Sequence, residues 1–145
     1  MKAEKTTKPK KPTDWRKRFS AAKEPHVVML SSPFAGVPSG AMMLISSPGE
    51  IARYVAAIPA GETRTIARLR SDLARRAKAD AMCPVTTSIY LRVVAEVALD
   101  ELEAGKPMDE VVPFWRVIEP KDKLAAKLSC GPERLEHLRA LEAGG

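Results

Sequence analysis

The chain has 145 residues, 45% of them apolar and 5% aromatic, which suits one small globular unit with a modest core and a tail. Its formal charge of +6 comes entirely from residues 1–18, where eight Lys or Arg face only Glu4 and Asp14. Cys83 and Cys130 lack metal-type spacing, no apolar leader opens the chain and no run is long enough to span a bilayer; a disulfide framework, a zinc site, secretion and membrane insertion are therefore not expected.

Residues 1–13 cannot bury apolar surface and read as a disordered basic arm. Residues 14–47 read as a short helix and a small strand pair packed on the body. Asp14 caps the helix, in which Trp15, Phe19 and Ala22 share one face. Val27 to Leu30 and Ala41 to Ile45 are the strands, separated by the Ser/Pro/Gly-rich segment from Ser31 to Gly40. The body then spans 48–145. Ser47-Pro48-Gly49-Glu50 is a helix start, and that helix runs over about 48–57 until Pro59 and Gly61 break it.

Thr63 or Thr65 caps the next helix, with Ile66, Leu69, Leu73 and Ala77 as its apolar stripe and Arg64, Arg68 and Arg75 on another face. Cys83-Pro84 opens a long helix to about Ala104, with Val85, Ile89, Val93 and Val97 inward and Gly105 as the stop. Two such helices with a short turn form a helix-turn-helix. Residues 111–118 read as a strand, Glu119 to Leu128 as a basic wing carrying Lys121, Lys123 and Lys127, and a last helix from Pro132 sets Leu135, Leu138 and Leu141 on one face. The expected fold is α+β, mainly helical: a winged helix-turn-helix with a small N-terminal strand pair.

Charge in the body is polarised. Residues 53–92 hold eight Lys or Arg against three acids, whereas 96–110 hold six acids against Lys106. A basic arm beside a basic helical face suits double-stranded DNA, through phosphate neutralisation and counterion release; a solvated charge run is the alternative. The small, polar start of the long helix, Thr86, Thr87 and Ser88, can approach phosphate through its free N–H groups, with Arg92 one turn later. The chain contains no Asn and no Gln, the usual bidentate readers of adenine, so specificity would have to come from shape, arginine contacts or a pocket.

Three segments, in order, resemble the DNA-binding domain of the methylated-DNA-protein-cysteine methyltransferases and their alkyltransferase-like relatives. Ile58-Pro59-Ala60-Gly61-Glu62-Thr63-Arg64 is similar to the family's Ile-Pro-x-Gly-x-Thr lead into the first helix of the motif. Pro113-Phe114-Trp115-Arg116-Val117-Ile118 is similar to its Pro-Cys-His-Arg-Val-Ile. Leu124 to Gly131 and Glu133 to Glu142 are similar to the glycine-rich wing and to a closing helix that ends near a Glu. Cys83 to Thr87, followed by Trp115-Arg116, also looks like a pattern in small proteins of this superfamily. The resemblance covers about 48–144 and implies an alkyltransferase-like domain over 48–145.

The departures decide what it implies. A working alkyltransferase takes the alkyl group from a flipped guanine on a histidine-activated thiolate. Here Phe114 stands at the cysteine position and Trp115 at the histidine position, and neither ring is a nucleophile. Ile66 stands where the family has a tyrosine, and Ser88 where it has its intercalating arginine. The resemblance therefore implies a non-catalytic, cytoplasmic protein, nucleoid-associated in a bacterium, that binds double-stranded DNA as a monomer, recognises alkylated guanine and flags it to DNA repair proteins. Phe114, Trp115 and Arg116 would form the base pocket, against the alternative that the rings pack the core and Arg116 makes an ordinary ion pair. Arg64, Arg68, Arg75, Thr86, Thr87, Ser88, Arg92, Lys121, Lys123 and Lys127 would contact DNA. No metal or cofactor is implied. A winged-helix DNA-binding or protein-interaction module without lesion recognition is the second reading. A methyltransferase using Cys83 at its helix start is the third, against a capping thiol.

Overall fold

The computed structural model describes residues 13–144, so the expected arm, apart from Thr13, lies outside the described residues. Helix α1 (Trp15–Ala21) is capped by Asp14, whose carboxylate accepts from the Lys17 N–H at 3.1 Å. It buries no residue fully and lies along the long helix α4 (Pro84–Glu103), with the guanidinium groups of Arg18 and Arg92 each 5.1 Å from the centre of the Trp15 ring.

Strands β1 (His26–Met29) and β2 (Met42–Ile45) pair antiparallel, with Val27 opposite Leu44. A third strand that the sequence does not announce, β3 (Ala81–Met82), joins the other edge of β2 in parallel. Its two residues are too short to show any alternation. What places them is the neighbouring edge: Asp80 N–H donates to Met42 O and Cys83 N–H to Leu44 O, both at 2.8 Å, while the Asp80 carboxylate accepts from Met42 N–H. The connection between the helices of the expected helix-turn-helix therefore runs from Ala77 to Cys83 and carries a strand.

Helix α2 (Pro48–Ala56) starts as its sequence indicates, with the Ser47 hydroxyl accepting from Glu50 N–H. In α3 (Ile66–Arg76), Thr65 rather than Thr63 is the cap, accepting from Arg68 N–H at 3.0 Å. The main core gathers Ile51 and Val55 of α2, Leu69 and Leu73 of α3, and Leu91, Val94, Ala95 and Ala98 of α4.

Those α4 residues correct the predicted stripe. Val93 is buried and Val97 half-buried, but Val85 and Ile89 are 45% and 43% exposed. The helix packs against both α1 and α2, so more than one of its faces is buried, while Val85 and Ile89 lie on a side of its first turns that points away from the core. No single periodic stripe describes such a helix.

In place of the expected strand at 111–118 stands a 3-10 turn, Phe114–Arg116, preceded by another at Met108–Glu110. Pro113 lacks an N–H to offer a neighbouring strand, and Arg116 N–H instead donates to Pro113 O at 2.9 Å. Phe114, Trp115, Val117 and Ile118 are all buried, which an alternating strand with one wet face would not allow. The expected wing is also corrected. Residues 123–127 form the short helix α5 (Lys123–Lys127), because Leu124, Ala125 and Leu128 recur at helical spacing and go into the core. In α6 (Gly131–Gly144) Leu135 and Leu138 are buried, but Leu141 is exposed one turn beyond the core. The fold is α+β, mainly helical, around a three-stranded sheet. No helix among the described residues is long and apolar enough to cross a membrane.

Candidate nucleic-acid interface

Of the residues singled out by sequence, one cluster holds Phe114, Trp115, Arg116 and Arg64, and a second holds Arg68 and Arg75. In the first, the three resembling segments meet. Arg64 N–H donates to Arg116 O at 2.8 Å, and the Arg116 side chain donates to Ile58 O at 2.6 Å. Arg116 Nε also donates to both oxygens of Glu142, at 3.0 and 3.1 Å, and Trp115 Nε1 donates to Glu142 Oε1 at 3.1 Å. The Arg116 hydrogen bonds, joined by those of Trp115 and the Gly61 N–H, hold the Glu142 carboxyl below its ordinary range, against the opposing effect of burial.

Phe114 and Trp115 do not present open faces to a base. They are 0% and 1% exposed and stack edge to face on each other at 5.3 Å. The base pocket expected from these two rings and Arg116 is therefore corrected: Phe114 is core, Arg116 is turned inward, and one edge of Trp115 contributes to a cleft of about 170 Å³. That cleft is bounded by Gly61, Thr63, Trp115, Arg139 and Glu142.

The second cluster lies on α3 and α2. Asp72 accepts from Arg68 Nε at 3.0 Å, from Arg75 Nη1 at 3.3 Å and from the Tyr54 hydroxyl at 2.6 Å. Burial first, then the Asp72 carboxylate, pushes the Tyr54 hydroxyl up to about 12. The Tyr54 hydrogen bond, aided by Arg68 and Arg75, holds Asp72 below its ordinary range although burial opposes it. Arg76 lies over the Tyr54 ring at 5.3 Å, and Arg64 pairs with Glu62 at 3.1 Å. Arg68 and Arg75 remain largely exposed and can face a polyanion.

At the start of α4, the Cys83 thiol caps the helix, accepting from Thr86 N–H at 3.5 Å, and packs with Val37, Ala41 and Met43. Thr87 is buried, its hydroxyl donating to Cys83 O, so it serves the helix rather than a ligand. Ser88 is half-buried. Arg92 is committed to Trp15 and lies 3.8 Å from Glu96, a buried carboxylate that itself accepts from Ser129 N–H and Oγ. Lys121, Lys123 and Lys127 are exposed on and beside α5. The Cys130 thiol is pushed up by burial and then by Glu96. No group of three or more His, Cys, Asp or Glu that could hold a metal ion occurs among the described residues.

Sequence reasoning missed Tyr54, Asp72, Arg76 and the partnership of Glu142. Asp72 was recoverable, since it stands four residues after Arg68 and three before Arg75 on one helix face. Tyr54 and Glu142 come from elements distant in sequence and left no local signal. No family model, no curated protein and no solved structure matches this chain.

Proposed function

We propose that this protein is a non-catalytic DNA-binding protein similar to the alkyltransferase-like proteins. The basic face of α3 and the exposed start of α4, paired as a helix-turn-helix, lie against a duplex. The cleft beside Trp115 receives an alkylated guanine and marks it for repair proteins. The observation that carries this reading is the convergence of the three resembling segments, with Ile58 and Arg64, Trp115 and Arg116, and Glu142 in one hydrogen-bonded cluster beside a cleft that Gly61 also lines. No thiol lines that cleft, so binding there transfers nothing. With a helix in place of a wing, Lys123 and Lys127 of α5 and Lys121 beside it would meet phosphates.

The test is a fluorescence anisotropy titration against matched duplexes with and without one guanine alkylated on its exocyclic oxygen. The wild type is expected to favour the alkylated duplex, and Thr63→Phe, which fills the cleft from an exposed position, to lose that preference while keeping its affinity for plain duplex. Equal affinity of the wild type for both duplexes would refute lesion recognition. The burial of Phe114 and Trp115 behind the Arg116–Glu142 pair favours the second reading, a DNA-binding or protein-interaction module without a lesion pocket. That reading expects salt-sensitive binding with no lesion preference, or no DNA binding. The third reading, a relocated acceptor at Cys83, expects a permanent mass gain after incubation with alkylated DNA; the buried capping thiol is expected to show none.

A further inference from the structure

We infer that the small cleft between α2 and α3, bounded by Tyr54, Arg64, Arg68 and Arg76, is a seat for one phosphate group, with Asp72 and the Tyr54 hydroxyl as the post that aims the arginines. Its DNA source rests on the duplex-binding reading above. The cleft measures about 130 Å³, which is the scale of a phosphate with a few waters rather than of a base plus sugar. Three guanidinium groups border it, of which Arg64 is already paired with Glu62 at 3.1 Å, and Asp72 is the one carboxylate of its lining, which leaves Arg68 and Arg76 to grip the anion.

That carboxylate is already occupied. One oxygen accepts from the Tyr54 hydroxyl and from Arg68 Nε, and the other from Arg75 Nη1. Its side chain is 13% exposed, so it sits beneath the guanidinium groups rather than in front of them. Engaging Arg68 through Nε leaves both terminal nitrogens of that guanidinium without a hydrogen-bond partner among the described residues, and they are a planar donor pair of the kind that grips a phosphate. Arg76 has no ion pair among the described residues; its guanidinium is held over the Tyr54 ring at 5.3 Å, which fixes its place without using its donors. Tyr54 is itself a buried residue of α2, so the post is anchored in the core. Preorganised arginines lose less freedom on binding than free ones, and that is what an acidic residue at the centre of a basic face contributes.

This assignment inverts the expectation from net charge. Removing a negative charge from a DNA-binding face ordinarily tightens binding. Here Asp72→Asn is expected to weaken duplex binding by about three- to tenfold, because Arg68 and Arg75 lose their anchor. Tyr54→Phe, which removes only the hydroxyl, is expected to weaken it about two- to fivefold. Arg76→Gln should lower the slope of log affinity against log salt by about one. The experiment is an anisotropy titration of the full chain and these variants at several salt concentrations, with the Arg Nε–Hε resonances of the wild type followed during addition of the duplex and, separately, of inorganic phosphate.

Shifts at Arg68 and Arg76 with both probes assign the seat to a backbone phosphate. Shifts with inorganic phosphate alone keep the seat and remove the duplex reading. No shift with either probe overturns the proposal, as does an Asp72→Asn variant, shown folded by circular dichroism, that binds duplex as tightly as the wild type or more so. If Asp72→Asn does not fold, Tyr54→Phe decides: unchanged duplex affinity refutes the post.

Discussion

Arg116 turns its guanidinium inward, donating to Ile58 O and to the Glu142 carboxylate, so it joins the segment before α3 to the last turns of α6. Both side chains are mostly buried, and a charge-assisted interaction of this kind stabilises by more than a surface pair. Glu142→Gln is expected to lower unfolding free energy by about 1–3 kcal/mol, read from a urea titration at neutral pH. The pH dependence has a definite sign. The Glu142 carboxyl is held below its unfolded value of about 4.3, so its contribution is present above that pH and is lost as pH falls through the folded value. Glu142→Gln should therefore show a smaller loss of urea midpoint than the wild type between about pH 5 and about pH 3; parallel curves would refute the carboxylate's role. Lys78 offers a change in the other direction. It holds the left-handed position after α3, with φ of 57°, in a motif closed by Ala79 N–H to Ala74 O and Lys78 N–H to Arg75 O. The same motif ends α4 with Gly105, at φ of 102°. Lys78→Gly should raise stability by about 0.5–1 kcal/mol in the same titration, since glycine adopts this conformation without the Cβ clash.

Among the α-helices, α1 is held differently from the rest. It contributes no fully buried side chain, and its hold on α4 is the Arg18–Trp15–Arg92 stack, the partly buried Phe19 and an Arg16–Glu101 pair at 3.4 Å. Such an element opens before the global unfolding transition. The two tryptophans report the contrast, because Trp15 is half-buried under arginines whereas Trp115 is 1% exposed. Trp15→Phe should leave a single blue-shifted emission that resists acrylamide, while the wild type retains a quenchable fraction; a quenchable Trp115 in that variant would mean that the cleft opens to solvent. Caps and stops at Asp14, Ser47-Pro48, Thr65, Cys83-Pro84 and Gly105 are local hydrogen-bonding devices, and they stand where the residues indicated. Burial of α4 and of residues 111–118 is decided by neighbours instead. Val85 and Ile89 look like core residues by type, yet no element covers them.

At the scale of the whole molecule, the same division separates what was readable in the candidate site from what was not. The arginines of α3 declared themselves by helical spacing, and the motif around Trp115-Arg116 by its residue types. The closure of that motif by Glu142, 26 residues after Arg116, and the Tyr54–Asp72 hydrogen bond across 18 residues needed the tertiary fold. The charge map is the remaining global feature legible from composition. Residues 1–12 carry five lysines against Glu4, so removing them takes away four net positive charges. In duplex binding, each phosphate that is no longer neutralised makes the salt slope shallower by about 0.9. A chain beginning at Thr13 is therefore expected to show a slope shallower by about 1–3 and weaker binding at low salt, converging on the full chain as salt rises. The ratio of affinities for alkylated and plain duplex should be the same in both chains, because the cleft beside Trp115 and the α3 face lie wholly within the retained residues. A ratio that collapses with the arm would move recognition from the cleft to the tail, and an unchanged slope would leave the duplex to α3, α4 and α5.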